Sequence, residues 1–221
     1  MVVAREHRTG ERPRPRRATR RVVAEVFQVR FHGRGGQGVV TAAELLAMAA
    51  FAEGRHAQAF PSFGSERMGA PVVSFCRIDD HEIRTREPVM EPDALIIQDV
   101  TLLHLVDVFA GLSPDGYVLV NTSRTFDDLG IGDFVRQFHH ERLLTCPASD
   151  LALARLGRPL PNAALLGGFA ALTGEVGLDS IASAIRERFK GAVGDFNVDA
   201  ATDAYQLVRR QEEALRNAST D

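Results

Sequence analysis

The stretch Phe31-His32-Gly33-Arg34-Gly35-Gly36-Gln37-Gly38 decides the reading of this chain. A β-branched, apolar run from Val22 to Phe31 precedes it, and an almost wholly apolar stretch from Val39 to Ala52 follows. That order reads strand, glycine turn, helix. Glycine takes φ > 0 freely and lets a ligand approach the backbone closely. A helix that starts directly after such a turn presents unpaired N–H groups and the positive end of its dipole, which together hold anions. Gly33, Gly35 and Gly38 also satisfy the dinucleotide spacing G-x-G-x-x-G. The loop therefore points to a phosphate-bearing ligand, with a bare strand-to-helix turn as the plainer alternative.

Outward from the loop, the pattern alternates. Strands are expected at Ala24 to Phe31, His56 to Phe60, Val72 to Asp79, Asp93 to Gln98, Tyr117 to Val120 and Arg142 to Thr145, with a possible hairpin return at His81 to Thr85. Helices are expected after the glycines, from Asp99 or Thr101 through Phe109, over Ile131 to Phe138, over Leu151 to Leu156, and from Asn162 to near Gly174. Two amphipathic stripes close the chain: Leu178, Ile181, Ile185, Phe189, then Val198, Ala201, Tyr205, Val208, Leu215. This predicts an α/β fold: a three-layer Rossmann-like domain with a mostly parallel, mixed sheet and a helical C-terminal part. The boundaries are an arginine-rich arm over residues 1–23 and one domain over 24–221. The arm reads as a solvated tail or as a segment that lies on an acidic partner.

Composition narrows the function classes. The chain has 221 residues, 45% apolar and 25% charged, with net charge -3. That balance argues against nucleic acid as a partner. The lack of a long apolar run argues against a membrane span, and the lack of a signal core points to a cytoplasmic protein. Two cysteines, Cys76 and Cys146, suit a reducing compartment and are too few for a self-contained iron–sulfur cluster. A second irregular stretch, Pro61 to Pro71, is long for a connection and reads as functional or interfacial. Its Ser62, Ser65 and Arg67 are candidate ligand or partner contacts, and Arg34 is a candidate cation for a phosphate. His32, at a strand end, is given no catalytic role.

Taken together, the glycine loop with Thr41-Ala42-Ala43-Glu44-Leu45-Leu46, then Ala59-Phe60-Pro61-Ser62-Phe63-Gly64-Ser65-Glu66-Arg67, then Asn162-Ala163-Ala164-Leu165-Leu166-Gly167, resembles the gamma subunit of 2-oxoacid:ferredoxin oxidoreductases. The likeness runs from about Val26 to Phe189 and is nearer the pyruvate and 2-ketoisovalerate type than the 2-oxoglutarate or indolepyruvate type. Met68, Asp99-Val100 and the arginine-rich arm depart from the family pattern and would suit a specialised member, such as a phenylglyoxylate-type enzyme of anaerobic metabolism. The resemblance implies a subunit of an enzyme that oxidatively decarboxylates a 2-oxoacid to acyl-coenzyme A and passes electrons to ferredoxin or another acceptor. Thiamine diphosphate, Mg and [4Fe-4S] clusters would sit on alpha, beta and delta-type partner subunits. Coenzyme A would be held here by Gly33, Arg34, Gly35, Gly36, Gln37, Gly38, Ser62, Ser65, Arg67 and Asn162, with no catalytic group on this chain. Two other classes stay open: an NAD-binding dehydrogenase subunit and a scaffold without a ligand. The first wants an acidic residue at the end of the second strand, where this chain has Phe60-Pro61-Ser62.

Overall fold

β1 (Phe27–Arg34) runs down the middle of a six-stranded sheet and carries the glycine loop at its C-terminal end. In the computed structural model, which describes residues 26–62 and 68–218, the sheet order is β2-β3-β1-β4-β5-β6. The other strands are β2 (His56–Pro61), β3 (Pro71–Asp79), β4 (Ala94–Ile97), β5 (Tyr117–Asn121) and β6 (Leu143–Cys146). β1, β4, β5 and β6 are parallel. β3 is antiparallel to both β1 and β2, so the sheet is mixed as the sequence suggested.

Alternation sorts the strand residues to two faces. Val29, Phe31, Cys76, Ile78, Ala94, Ile96 and Leu119 form one core with the helices α1 (Val39–Ala52), α4 (Asn162–Thr173), α5 (Leu178–Arg188) and α6 (Ala192–Ala218). Leu95, Ile97, Val118, Val120 and Leu143 form a thinner core on the other face with Leu102 and Val108. α1 is apolar nearly all round because it is enclosed by β2, β3 and α5. α4 is buried at every position from Asn162 to Leu172. Its glycines let it pack backbone to backbone: a Cβ on Gly167 would lie 1.9 Å from the Ala201 carbonyl oxygen of α6. Glycine inside a helix costs about 1 kcal/mol against alanine, and close packing on α6 offsets that cost.

Three expected elements differ. The strand His81 to Thr85 does not form; residues 80–93 run without strand or helix over the sheet. The chain turns instead at His81, whose N–H is taken by Asp79 Oδ1 at 2.9 Å, and further on the buried Arg30 guanidinium donates to the carbonyls of Val89, Val108 and Ala110. The helix expected through Phe109 is a 3-10 turn, Val100–His104, capped by Asp99, whose Oδ1 accepts from the Thr101 N–H at 3.0 Å. The segment Ile131 to Phe138 yields only α2 (Gly132–Val135). α3 (Ala148–Leu156) stops at Gly157, which takes φ 69. Ala24, the arm 1–23, Ser65 and Arg67 lie outside the described residues. Among the described residues no helix is long and apolar enough to cross a membrane.

Candidate functional site

The strand connections diverge between β1 and β4. β1 leads through α1 on one face, and β4 leads through the 3-10 turn on the other. In open α/β sheets the crevice at such a point, outside the strand C-termini, is the usual ligand seat. Here the chain's own side chains close it. Arg34 Nε pairs with Asp99 Oδ2 at 3.2 Å. Its Nη1 donates to the Gly69 carbonyl at 2.9 Å and its Nη2 to Thr101 Oγ1 at 2.7 Å. Gln37 spans the same gap: its Oε1 accepts from the Arg34 N–H at 2.8 Å, and its Nε2 donates to Asp99 Oδ2 at 2.9 Å. Burial pushes the Asp99 carboxyl up, but the Thr101 and Gln37 donors and the Arg34 charge outweigh it, and the net direction is down.

This network narrows which donors of the loop are free. The Gly35 N–H goes to the Ala70 carbonyl and the Gln37 N–H to the Arg34 carbonyl. Gly36, Gly38, Val39, Val40 and Thr41 keep N–H groups without a backbone partner among the described residues. The first intrahelical bond is made by Ala42, to the Gly38 carbonyl. Gly38 caps α1 in the left-handed region, φ 72, with no side-chain cap competing for the orphan donors.

Two clefts open on these donors. One, of about 310 Å³, is bounded by Arg34, Gly35, Gly36, Gly38, Val40, Thr41 and Val72. The other, of about 490 Å³, runs from Gly36, Gly38 and Thr41 to Asn162, Arg158 and an apolar wall of Leu156, Leu160, Phe189, Val193 and Phe196. Asn162 is the first residue of α4, not its cap; Pro161 holds the cap position. Its Oδ1 accepts from the Ala163 N–H at 2.9 Å, and its Nδ2 lies against Gly38. The N-termini of α1 and α4 therefore meet at one pocket, and two positive dipole ends add there.

Arg158, on the α3–α4 connection, makes no ion pair among the described residues and borders this pocket. Motif reading could not have found it, because nothing local marks it; only the fold brings it opposite the glycines. Ser62 follows β2, its N–H bonded to the Val73 carbonyl, and it borders neither cleft. His32 is buried, accepts from Arg30 Nε at 3.1 Å, and is held neutral: burial, then the Arg30 charge, push its pKa down to about 3. Both thiols are buried. Burial pushes Cys76 far up and Cys146 to about 12. Neither is poised as a nucleophile or metal ligand.

Fold and pocket define an α/β domain in which two helix N-termini open on one cleft. The model of the pyruvate ferredoxin/flavodoxin oxidoreductase family matches residues 28–207. The chain is 47% identical over 184 residues to the pyruvate synthase subunit PorC of Methanothermobacter marburgensis, covering 83% of this chain and 98% of that one. It is 45% identical over 181 residues to the pyruvate/ketoisovalerate oxidoreductases common subunit gamma of Pyrococcus abyssi, covering 82% and 96%. The crystal structure of pyruvate oxidoreductase subunit PORC from Thermotoga maritima superposes with a TM-score of 0.69 at 38% identity, covering 82% and 96%. The chain belongs to the pyruvate ferredoxin/flavodoxin oxidoreductase family, as a subunit of its gamma type.

Proposed function

We propose that this chain is the coenzyme A-binding gamma subunit of a thiamine-dependent 2-oxoacid:ferredoxin oxidoreductase whose substrate is pyruvate or 2-ketoisovalerate. The observation that carries the reading is the meeting of the α1 and α4 N-termini at a pocket with Arg158 on its rim. A diphosphate fits the free N–H groups of Gly36, Gly38 and Val39 to Thr41 in charge and donor type. The apolar wall from Leu156 to Phe196 suits the less polar remainder of the same ligand. Arg34 keeps two N–H donors beyond its three protein partners, so it can add a contact, but Asp99 neutralises its charge. Arg158 supplies a positive charge that no ion pair among the described residues offsets.

The chemistry proceeds on the partner chains. Thiamine diphosphate with Mg would carry the decarboxylation, and [4Fe-4S] clusters would take the electrons, on alpha, beta and delta-type subunits. This chain's buried thiols and neutral His32 offer neither a cluster ligand set nor an acid–base pair. Its part is to present the acyl acceptor. The nicotinamide alternative draws no support from the sheet: antiparallel β3 stands beside β1, where a dinucleotide fold has a parallel strand ending in an acidic residue.

Equilibrium dialysis of the assembled complex against coenzyme A and NADH tests the reading, with hydrogen exchange read at Gly36 to Thr41. Coenzyme A should bind and slow exchange at those amides, and NADH should not. Coenzyme A bound without protection at the loop would overturn the assignment to this chain.

A further inference from the structure

We propose that Asp99 is the positioning residue of the glycine loop: it sets the loop's ligand-binding form through Gln37 and Arg34 and ties that form to the segment at 68–70. The proposal rests on the coenzyme A reading of the same site.

Asp99 follows β4 and has four donors on its two oxygens. Oδ2 takes Gln37 Nε2 and Arg34 Nε; Oδ1 takes the Thr101 N–H and hydroxyl. A carboxylate has about four acceptor sites, so all are used. Gln37 carries the constraint to the main chain, because its Oε1 holds the Arg34 N–H where the strand becomes the turn. Arg34 carries it sideways to the Gly69 carbonyl. There the backbone is also stitched to the loop, by Gly35 N–H to Ala70 and Gly69 N–H to the Gly35 carbonyl. One carboxylate thus fixes two loops, and it does so in the crevice a ligand would otherwise fill. With the crevice closed, the free N–H groups of Gly36 and Gly38 sit at the two flanking clefts. Asp99 borders neither cleft. Its influence on a ligand passes through its two neighbours.

The test uses the assembled oxidoreductase, with KM for coenzyme A and kcat measured at saturating 2-oxoacid. Asp99→Ala should raise KM about tenfold, the order expected from losing one hydrogen bond to a charged group, with kcat within about twofold. Asp99→Asn, which keeps one oxygen for Gln37 and Arg34 but turns an NH2 group toward the Thr101 donors, should restore part of the affinity. In a Gln37→Ala background, Asp99→Ala should add little, because the two act on one path. A merely structural role would lower the yield of complex and kcat together and leave KM alone. Should Asp99→Ala fail to assemble, Gln37→Ala carries the test by itself, and an unchanged KM overturns the proposal. Arg158→Ala separates the two levels. If it raises KM and Asp99→Ala does not, only the positioning role falls; if neither moves KM, the coenzyme A reading falls.

Discussion

The side-chain amide of Asn162 fills the space that a β-carbon on Gly38 would need. A Cβ built on Gly38 would stand 2.6 Å from Asn162 Nδ2. Gly38 is also at φ 72, where side chains other than glycine cost about 1–2 kcal/mol. Two separate reasons therefore demand glycine, and the second couples it to the head of α4. Gly38→Ala should destabilise the full-length chain by about 2 kcal/mol or more in denaturant unfolding. Asn162→Ala alone should cost about 1 kcal/mol, for the lost acceptor of the Ala163 N–H. The double variant should cost less than the sum, because the smaller side chain removes the collision. Strict additivity would mean that the two helix heads do not touch in solution.

Arg34 and Arg158 should separate in their effects. Arg34 is bound on three sides by Asp99, Gly69 and Thr101, so its loss is first a loss of loop structure. Arg158→Ala should raise KM for coenzyme A about tenfold or more and leave the melting temperature of the complex unchanged, as for an exposed cation that meets only the ligand. Arg34→Ala should lower the melting temperature as well as affinity. If Arg158→Ala left KM unchanged and Arg34→Ala alone raised it, the positive charge would have to be reassigned to Arg34.

What the sequence made legible follows the range of the interactions. Strand, glycine turn and α1 were readable because glycine conformation and apolar periodicity act within a few residues. The glycines at 157 and 174 stop α3 and α4, each at positive φ. A cap at Asp99 or Thr101 was readable for the same reason, and Asp99 holds it, binding Thr101 two residues away. Its second role was not, because Arg34 lies far upstream in the chain. Arg30 likewise binds across the chain, to carbonyls 59, 78 and 80 residues away, a placement that no local pattern encodes. The insertion of β3 between β2 and β1 is a matter of register between distant segments, which alternation within one strand does not encode. Arg34 is legible because it sits in a motif, and Arg158 is not, because it sits in none.

Gln98 gives a prediction of opposite sign. It follows β4 beneath the glycine loop, it is 1% exposed, and neither its Oε1 nor its Nε2 has a hydrogen-bond partner among the described residues. A buried, unpaired polar group costs about 1–3 kcal/mol. Gln98→Met keeps the volume and removes the amide, so it should raise stability by about 1 kcal/mol. The measurement is the denaturant midpoint of the full-length chain at unchanged slope. A loss of stability on Gln98→Met would show that the amide is satisfied by buried water, which costs free energy to displace.

His32 sets the acid limit of the sheet. Its imidazole is 5% exposed, takes a hydrogen bond from Arg30 Nε, and ionises only near pH 3, because burial and then the Arg30 charge disfavour the cation. An unfolded chain holds histidine at its ordinary pKa of about 6.5. Between about 6.5 and 3 the unfolded state therefore carries the extra proton, and stability falls as pH falls through that window. The slope for one such group is about 1.4 kcal/mol per pH unit once pH is well below 6.5. His32→Gln offers Arg30 an uncharged acceptor that does not titrate there. Unfolding free energy measured from pH 7 to pH 4 should drop less steeply in the variant, with the two curves converging toward the acid end. Parallel curves would place the acid sensitivity in other groups; Asp99 is not one of them, because its lowered pKa keeps its contribution until pH falls below the ordinary aspartate range.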